Sequence, residues 1–375
     1  MVFSLKVITD FEGLRKIENE WNRFLIDHAE NPFLLSGYVK EFIDINLLRG
    51  QLPIIFVALE NKKVVGLALF ALKKRFNFLI NKFLLPLHFS PDILVHEDYE
   101  ERTIRLVINR LFYDMGCQLL DLTLPAESQH IETFKKICKI NNIYFRECLT
   151  LENGHYVLPI NGSWGSFEKL LGGNFRRLFK RLEHKMIKAG GYEITCAEKV
   201  QDNVFKDILY IDKKSWKEVW RKKKRMKVDP ELFAIWRGTV YLNGKVPDLK
   251  WRVWFLKINN VLASYAFTLQ FKNIGYIVKT SFNNEFKNFY PGIYVINVAI
   301  KDFFDRGEVE KIDFQTNLPF MRRWKPILWP RVRVMIGKGS LFSFTIFLST
   351  NRGFCKVRDK ILGSLFDALP LVMVG

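Results

Sequence analysis

The residue types that chemistry needs are concentrated in one stretch of the second half of the chain. Tyr290-Pro291-Gly292 stands at the head of a strongly apolar helix predicted over Ile293 to Asp305. Such a helix start offers unpaired backbone N–H groups and the positive end of the helix dipole, which favour an anion, and glycine lets it come close. Lys279 closes a predicted strand, Ile274 to Thr280, where an ammonium can meet a phosphate or an acceptor group. Glu285 lies on the loop between that strand and the helix, where catalytic groups collect, and is a candidate general base. Asp313, on a short predicted strand from Lys311 to Gln315, is the second candidate base. Each has a plainer reading. Pro-Gly starts many packed helices, a lysine at a strand end is commonly just solvated, and an aspartate after a helix often serves the fold.

Other chemistries lack their residues. All six histidines, at 28, 88, 96, 130, 155 and 184, precede residue 185, and none shows the paired helical spacing of a zinc hydrolase. His88, Asp92, His96 and Asp98 form the only metal-like cluster, of a kind common in loops that hold no metal. Gly-x-Ser-x-Gly, a P-loop and a strand-Gly-x-Gly-x-x-Gly-helix are missing. Five cysteines, at 117, 138, 148, 196 and 355, are odd in number and contain no Cys-x-x-Cys, which argues for free thiols rather than a disulfide framework or zinc site.

The elements that must position the stretch repeat. In the second half, strands at Leu249 to Ile258, Val261 to Phe271 and Ile274 to Thr280 are joined by tight turns at Asn259-Asn260 and Lys272-Asn273, and the helix ends at Gly307. The first half reads as strand Ile54 to Leu59, turn Asn61-Lys62, strand Val64 to Leu72, an irregular stretch, helix Glu101 to Asp114, Gly116 and strand Leu119 to Leu124. Phe112-Tyr113-Asp114-Met115-Gly116 leading to Asp121-Leu122 matches Phe303-Phe304-Asp305-Arg306-Gly307 leading to Asp313-Phe314. Two diverged copies of one α+β unit follow. Asp121, standing where Asp313 stands, points to a structural role for both.

Length and charge agree with two unlike halves. The 375 residues fit two domains, and 49% apolar content gives ample core. Lys plus Arg against Asp plus Glu is 19 to 20 in residues 1 to 158 and 39 to 19 in residues 159 to 375, so the whole net charge of +19 comes from the second part. That asymmetry points to a polyanionic partner: a phosphorylated cofactor, nucleic acid or an anionic membrane surface. The excess gathers in an amphipathic helix at Asn174 to Lys188, with Arg176, Arg177, Lys180, Arg181, Lys185 and Lys188 on one face. It gathers again in Lys213 to Lys227, where nine basic residues accompany Trp216 and Trp220. Both read equally as solvated surface. The uncharged run Ser340 to Thr350 is about half the roughly 20 residues a spanning helix needs. Met1 to Asp10 lacks the pattern of a secretory leader, which gives a cytoplasmic expectation.

Lys279-Thr280-Ser281-Phe282-Asn283-Asn284-Glu285, Tyr290-Pro291-Gly292, and Ile312-Asp313-Phe314-Gln315 with Lys325 downstream resemble the GCN5-related N-acyltransferase (GNAT) superfamily. The likeness is to its branch of cellulose-biosynthesis-type acetyltransferases, related to the peptidoglycan-bridge (Fem-type) aminoacyltransferases. Asn31-Pro32-Phe33-Leu34-Leu35-Ser36 and the basic helix also suit it, so the likeness covers most of residues 20 to 330. Asn283-Asn284 departs from the usual acidic pair, and Gln315-Thr316 replaces the glycine after Asp-Phe. The Gln/Arg-x-x-Gly-x-Gly/Ala loop of the wider superfamily is absent.

The resemblance implies an α+β fold of tandem GNAT-like domains, each a mostly antiparallel twisted sheet flanked by helices. It places a non-catalytic domain at 1–158, a catalytic one at 159–340, and a basic and apolar tail at 341–375 that docks on the domain or on a membrane surface. It implies transfer from acyl-CoA, acetyl-CoA in first place, to an amino group of a sugar or cell-surface precursor, without a metal. Lys279, Tyr290, Pro291, Gly292 and Ile293 would hold the cofactor, with its pyrophosphate at the helix start; Arg177, Trp216, Gln315 and Lys325 would hold substrate; Asp313 and Glu285 would act in catalysis. Trp216 and Trp220 could stack on an adenine or a sugar, or pack in the core. The alternatives are a transferase using charged tRNA, and a membrane-surface adaptor in which Arg331, Arg333, Lys338 and Arg352 flank the apolar segment Leu341 to Leu348.

Overall fold

Asn-rich turns shape the hairpins of both halves. Asn61 and Lys62 have φ of 47° and 71°, and Asn259 and Asn260 have 48° and 61°, the doubly left-handed turn whose twist matches the strands it joins. The computed structural model describes residues 2–77, 80–86, 93–218 and 229–338. His88, Asp92, Trp220 with the rest of 219–228, Arg352, Cys355 and the 341–375 tail lie outside the described residues.

The chain divides into two compact units. The first comprises Met1–Val7, Gly50–Thr150 and the chain from Val332. In it Leu52–Glu60 pairs with Lys63–Asn77, which pairs with Ile80–Pro86. Helix Glu100–Asn109 and a π-helical turn at Arg110–Asp114 then lead to Leu119–Pro125, which runs parallel to Ile80–Pro86 with Phe83 opposite Leu119. Ile80–Pro86 replaces the irregular stretch expected there, because Ile-Asn-Lys-Phe-Leu-Leu-Pro lacks a period-two alternation. Phe56, Phe70, Ile108, Leu122 and Phe134 belong to its core. Arg333 forks onto both oxygens of Asp121 at 2.8 and 2.6 Å, so this aspartate is an anchor of the sheet.

The second unit comprises Ile8–Arg49 and Leu151–Arg331. Leu249–Ile258, Val261–Phe271 and Ile274–Phe282 form the antiparallel meander, helix Pro291–Arg306 closes on Gly307 at φ 63°, and Lys311–Asp313 returns parallel to Ile274–Phe282. The same order of three strands, helix and parallel strand occurs in both units, as the repeat predicts. The core here lies between the sheet, the Pro291–Arg306 helix and the basic helix Gly173–Lys188, which buries Phe179, Leu182 and Met186 and exposes its cations.

A division at residues 158 and 159 is not the one found. The helical segment Ile8–Arg49 belongs with the second unit, because helix Ser36–Leu48 packs on helix Pro230–Leu242. Gly238 lies against Tyr38, whose hydroxyl shares a hydrogen bond of 2.9 Å with Thr239, and Tyr241 donates to Glu18 at 2.8 Å. Pairings some 200 residues apart leave no trace in local pattern. Among the described residues no helix is long and apolar enough to cross a membrane.

Candidate active site

The strand Ile274–Phe282 keeps its parallel partner only over Ile274–Tyr276. Its register with Val261–Phe271 skips Val278, a bulge that bends it away beyond that point. The freed end is met by Lys217, whose Nζ donates to the Thr280 carbonyl at 2.9 Å. The chain then turns on Asn283, fully buried, whose N–H donates to the Ala263 carbonyl and whose side chain accepts from the Glu285 N–H at 3.0 Å. An acidic residue is not required here, since asparagine serves this buried turn without a charge.

Tyr290, left-handed at φ 47°, swings the chain into the Pro291–Arg306 helix. Ile293 and Tyr294 both donate their N–H groups to the Tyr290 carbonyl, and proline has none to donate. The Gly292 N–H is left without a protein acceptor among the described residues, at the positive end of a 16-residue helix. Ser264 Oγ donates to the Pro291 carbonyl at 2.9 Å and fixes this start to the neighbouring strand.

Between the helix start and the splayed strand end lies a pocket of 410 Å³. Thr280, Ser281 and Phe282 form one wall, Tyr290 to Ile293 with Ile296 another. Trp216, Lys217, Lys287, Leu318 and Phe320 complete it, so among the described residues the lining is apolar apart from two lysines and a few hydroxyls, and includes no Asp, Glu, His or Cys.

Of the residues singled out in the sequence, Tyr290, Pro291, Gly292, Ile293 and Trp216 come together in this pocket. Trp216 is 58% exposed there rather than packed in the core. Lys279 does not join them: its ammonium sits 3.2 Å from Glu231 and 3.5 Å from Asp229 at the head of the Pro230–Leu242 helix. Burial opposes that charge, but the two carboxylates outweigh it and raise the pKa, so the Lys279 charge is already met within the protein.

Glu285 also differs from expectation. Its carboxylate accepts from Lys214 at 3.1 Å and from Asn283 at 3.3 Å, and these bonds hold its pKa below the ordinary range, which weakens it as a base. Asp313 lies outside the pocket lining, with Oδ1 accepting from the Gln315 N–H at 2.6 Å and Oδ2 from the Gln315 side chain at 2.7 Å. His155 Nδ1 stands 3.6 Å from the same Oδ2, beyond hydrogen-bond range. Gln315 is left-handed at φ 53° and falls just after the strand, which ends at Asp313. Lys325 is exposed at the left-handed end of a 3₁₀ turn.

Arg177 belongs to a separate hollow of 480 Å³ on the basic helix, with Asn174, Lys180, Arg181 and His184, and donates to Asn174 at 2.7 Å. Lys185, on the same helix, donates to the Asn288 carbonyl at 3.0 Å, two residues before Tyr290. Local pattern could not identify Ser281, Lys287, Leu318 or Phe320 as lining residues. Lys217 stood in the basic run, but nothing separated it from its neighbours. Among the described residues no three His, Cys, Asp or Glu are grouped to hold a metal, and of the His88 to Asp98 cluster only His96 and Asp98 are described.

Residues 173–325 match the family model described as acetyltransferase (GNAT) domain. Among solved structures, FemX is 11% identical with a TM-score of 0.54, over 88% of this chain and 96% of that one. L-PGS from Bacillus licheniformis is 10% identical with a TM-score of 0.52, over 88% of this chain and 95% of that one. At such identities the likeness is one of fold. No curated protein sequence matches the chain.

Proposed function

From the premise that residues 173–325 form a GNAT acetyltransferase domain in an acyltransferase, we propose that the second unit moves an acyl group from acyl-CoA to an amino group of a sugar or cell-surface precursor. The observation that carries this reading is the pocket at the unpaired N–H of Gly292. A β-carbon built on Gly292 would meet only Phe282, at 3.4 Å, so no internal packing demands a glycine, whereas close approach of a ligand does. Anionic groups suit the helix start with Lys217 and Lys287 beside it, and the apolar walls suit the uncharged part of the donor.

The thioester supplies the activated acyl group. The protein's part is to hold it against the backbone of the splayed strand, where N–H groups freed from pairing can bond its carbonyl oxygen. Asp313, clamped by Gln315, is assigned to orienting the acceptor amine, and Glu285 to holding the turn through Lys214. The first unit is assigned a non-catalytic role. A cytoplasmic place, in contact with the inner face of a membrane, belongs to the same proposal.

The exposed cations of the basic helix favour one second reading, in which the acyl group arrives on charged tRNA. A thermal-shift titration with CoA, acetyl-CoA and longer acyl-CoAs at two salt concentrations separates the two. A thioester at 100 times its dissociation constant adds about 2.7 kcal/mol. If no thioester moves the transition at either salt while charged tRNA does so at low salt only, the acyl-CoA reading falls.

A further inference from the structure

We infer, resting on the acyl-CoA reading above, that the acyl group this pocket takes is a hydrocarbon chain of about eight to twelve carbons rather than acetyl. A dry apolar cavity of ~150 Å³ takes up benzene, with its six carbons, so on the same yardstick 410 Å³ has room for roughly sixteen, enough for such a chain together with the thioester end that carries it. A two-carbon group leaves most of that wall facing water.

The rim gives a second, independent sign. Trp216, Tyr290 and Leu318 are 58%, 53% and 49% exposed, and all three line this one pocket. Large apolar side chains scattered singly over a surface need no explanation, but three gathered at the mouth of an apolar pocket leave a patch that an amphiphile would cover. Lys217 and Lys287 in the same lining place positive charge where the anionic end of such a molecule would emerge.

The polar groups of the wall point the same way. The Thr280 hydroxyl is already committed to the Tyr265 carbonyl at 2.9 Å, and the Lys217 ammonium to the Thr280 carbonyl. The Gly292 N–H, without a protein acceptor among the described residues, is the wall's open donor and leaves capacity for a single carbonyl or carboxyl oxygen. A body that is mostly hydrocarbon with one polar end matches this inventory. A pantetheine arm alone, with two amides to satisfy, matches it less well.

The test is a binding titration of the full chain with CoA, acetyl-CoA, octanoyl-CoA, dodecanoyl-CoA and free dodecanoate below its micelle concentration. Each buried methylene can strengthen binding up to about fourfold, so dodecanoyl-CoA should bind at least 50-fold more tightly than acetyl-CoA. Leu318→Asp, at an exposed rim position that leaves the core untouched, should cut that ratio at least tenfold, and Phe320→Asp should repeat the effect. Equal affinities for CoA, acetyl-CoA and dodecanoyl-CoA would overturn the inference and leave the acyl-CoA reading standing. Binding of dodecanoate without any thioester would retain the hydrocarbon pocket and remove acyl-CoA as its source. Binding of none of the five would overturn both.

Discussion

Gly292 faces the ring of Phe282 across the pocket, and a β-carbon on the glycine would come to 3.4 Å of Cδ1 with no other atom outside its immediate surroundings within 4 Å. The helix can therefore accept a side chain here, while the pocket cannot keep its volume. Gly292→Val should fold with a melting temperature within about 3 °C of the parent, since surface-type changes away from packed contacts cost little. Its stabilisation by acyl-CoA should fall at least tenfold in ligand affinity. Thermal shift with and without thioester checks both halves, and retained affinity would move the anion site away from Gly292.

Lys279 offers the opposite case. Its two carboxylate partners, Asp229 and Glu231, stay partly buried when it is removed. Lys279→Met should cost about 2 kcal/mol, less than the 3–5 typical of a fully buried pair because Glu231 retains solvent contact. Acyl-CoA affinity of the folded protein should be unchanged. Urea unfolding beside a binding titration separates the two effects; a stable variant with weakened binding would return Lys279 to the cofactor site.

Gly238 tests the assignment of the N-terminal helices to the second unit. A β-carbon there would lie 2.4 Å from Tyr38 Cδ1 and 3.2 Å from its Cα. Helix propensity favours alanine over glycine by about 1 kcal/mol, and overpacking costs about 1–3 kcal/mol. Because Tyr38 is itself fully buried and bonded to Thr239, the ring has no room to yield, and Gly238→Ala should lower the melting temperature by several degrees. A rise would show that the two helices do not pack as described.

Acid should release a buried guanidinium. Arg252 is held by Glu198 at 3.0 Å and Glu308 at 3.2 Å, with Asp302 at 3.8 Å. The bond from Lys250, joined by that from Arg252, holds Glu308 below the ordinary carboxylate range. Partial burial raises the pKa of Glu198, but Arg252 and Arg306 outweigh it and the net shift is downward. Groups depressed in the folded state stabilise it fully above their unfolded pKa near 4.3, and that contribution disappears as pH falls through the lower folded values. Melting temperature should therefore drop steeply below about pH 4. In Glu308→Gln it should start lower at pH 7 and fall less between pH 5 and pH 3. Parallel profiles for the two proteins would remove Glu308 from the acid transition.

The strands Leu249–Ile258 and Val261–Phe271, the turns between the hairpins, the Pro-Gly helix start and its Gly307 stop were all legible in the sequence. Each rests on interactions within a few residues: alternation that gives a strand two faces, asparagine in left-handed turns, unpaired N–H groups after a proline. The repeat was legible for the same reason, since both units follow one local order. Amino-acid order alone also gathered the net charge into the second part and placed four residues of the candidate site, Tyr290 to Ile293, at one helix start. Tertiary structure decided what those residues face. It paired Lys279 with carboxylates 48 to 50 positions away, tied Glu285 to Lys214, set Tyr38 beside Thr239 across some 200 residues, and brought Leu318 and Phe320 to the wall of the pocket. A charge or an apolar side chain is spent on whatever partner packing brings to it, and burial strengthens that partnership, so the difference between a free site residue and a structural one arises only when distant segments meet.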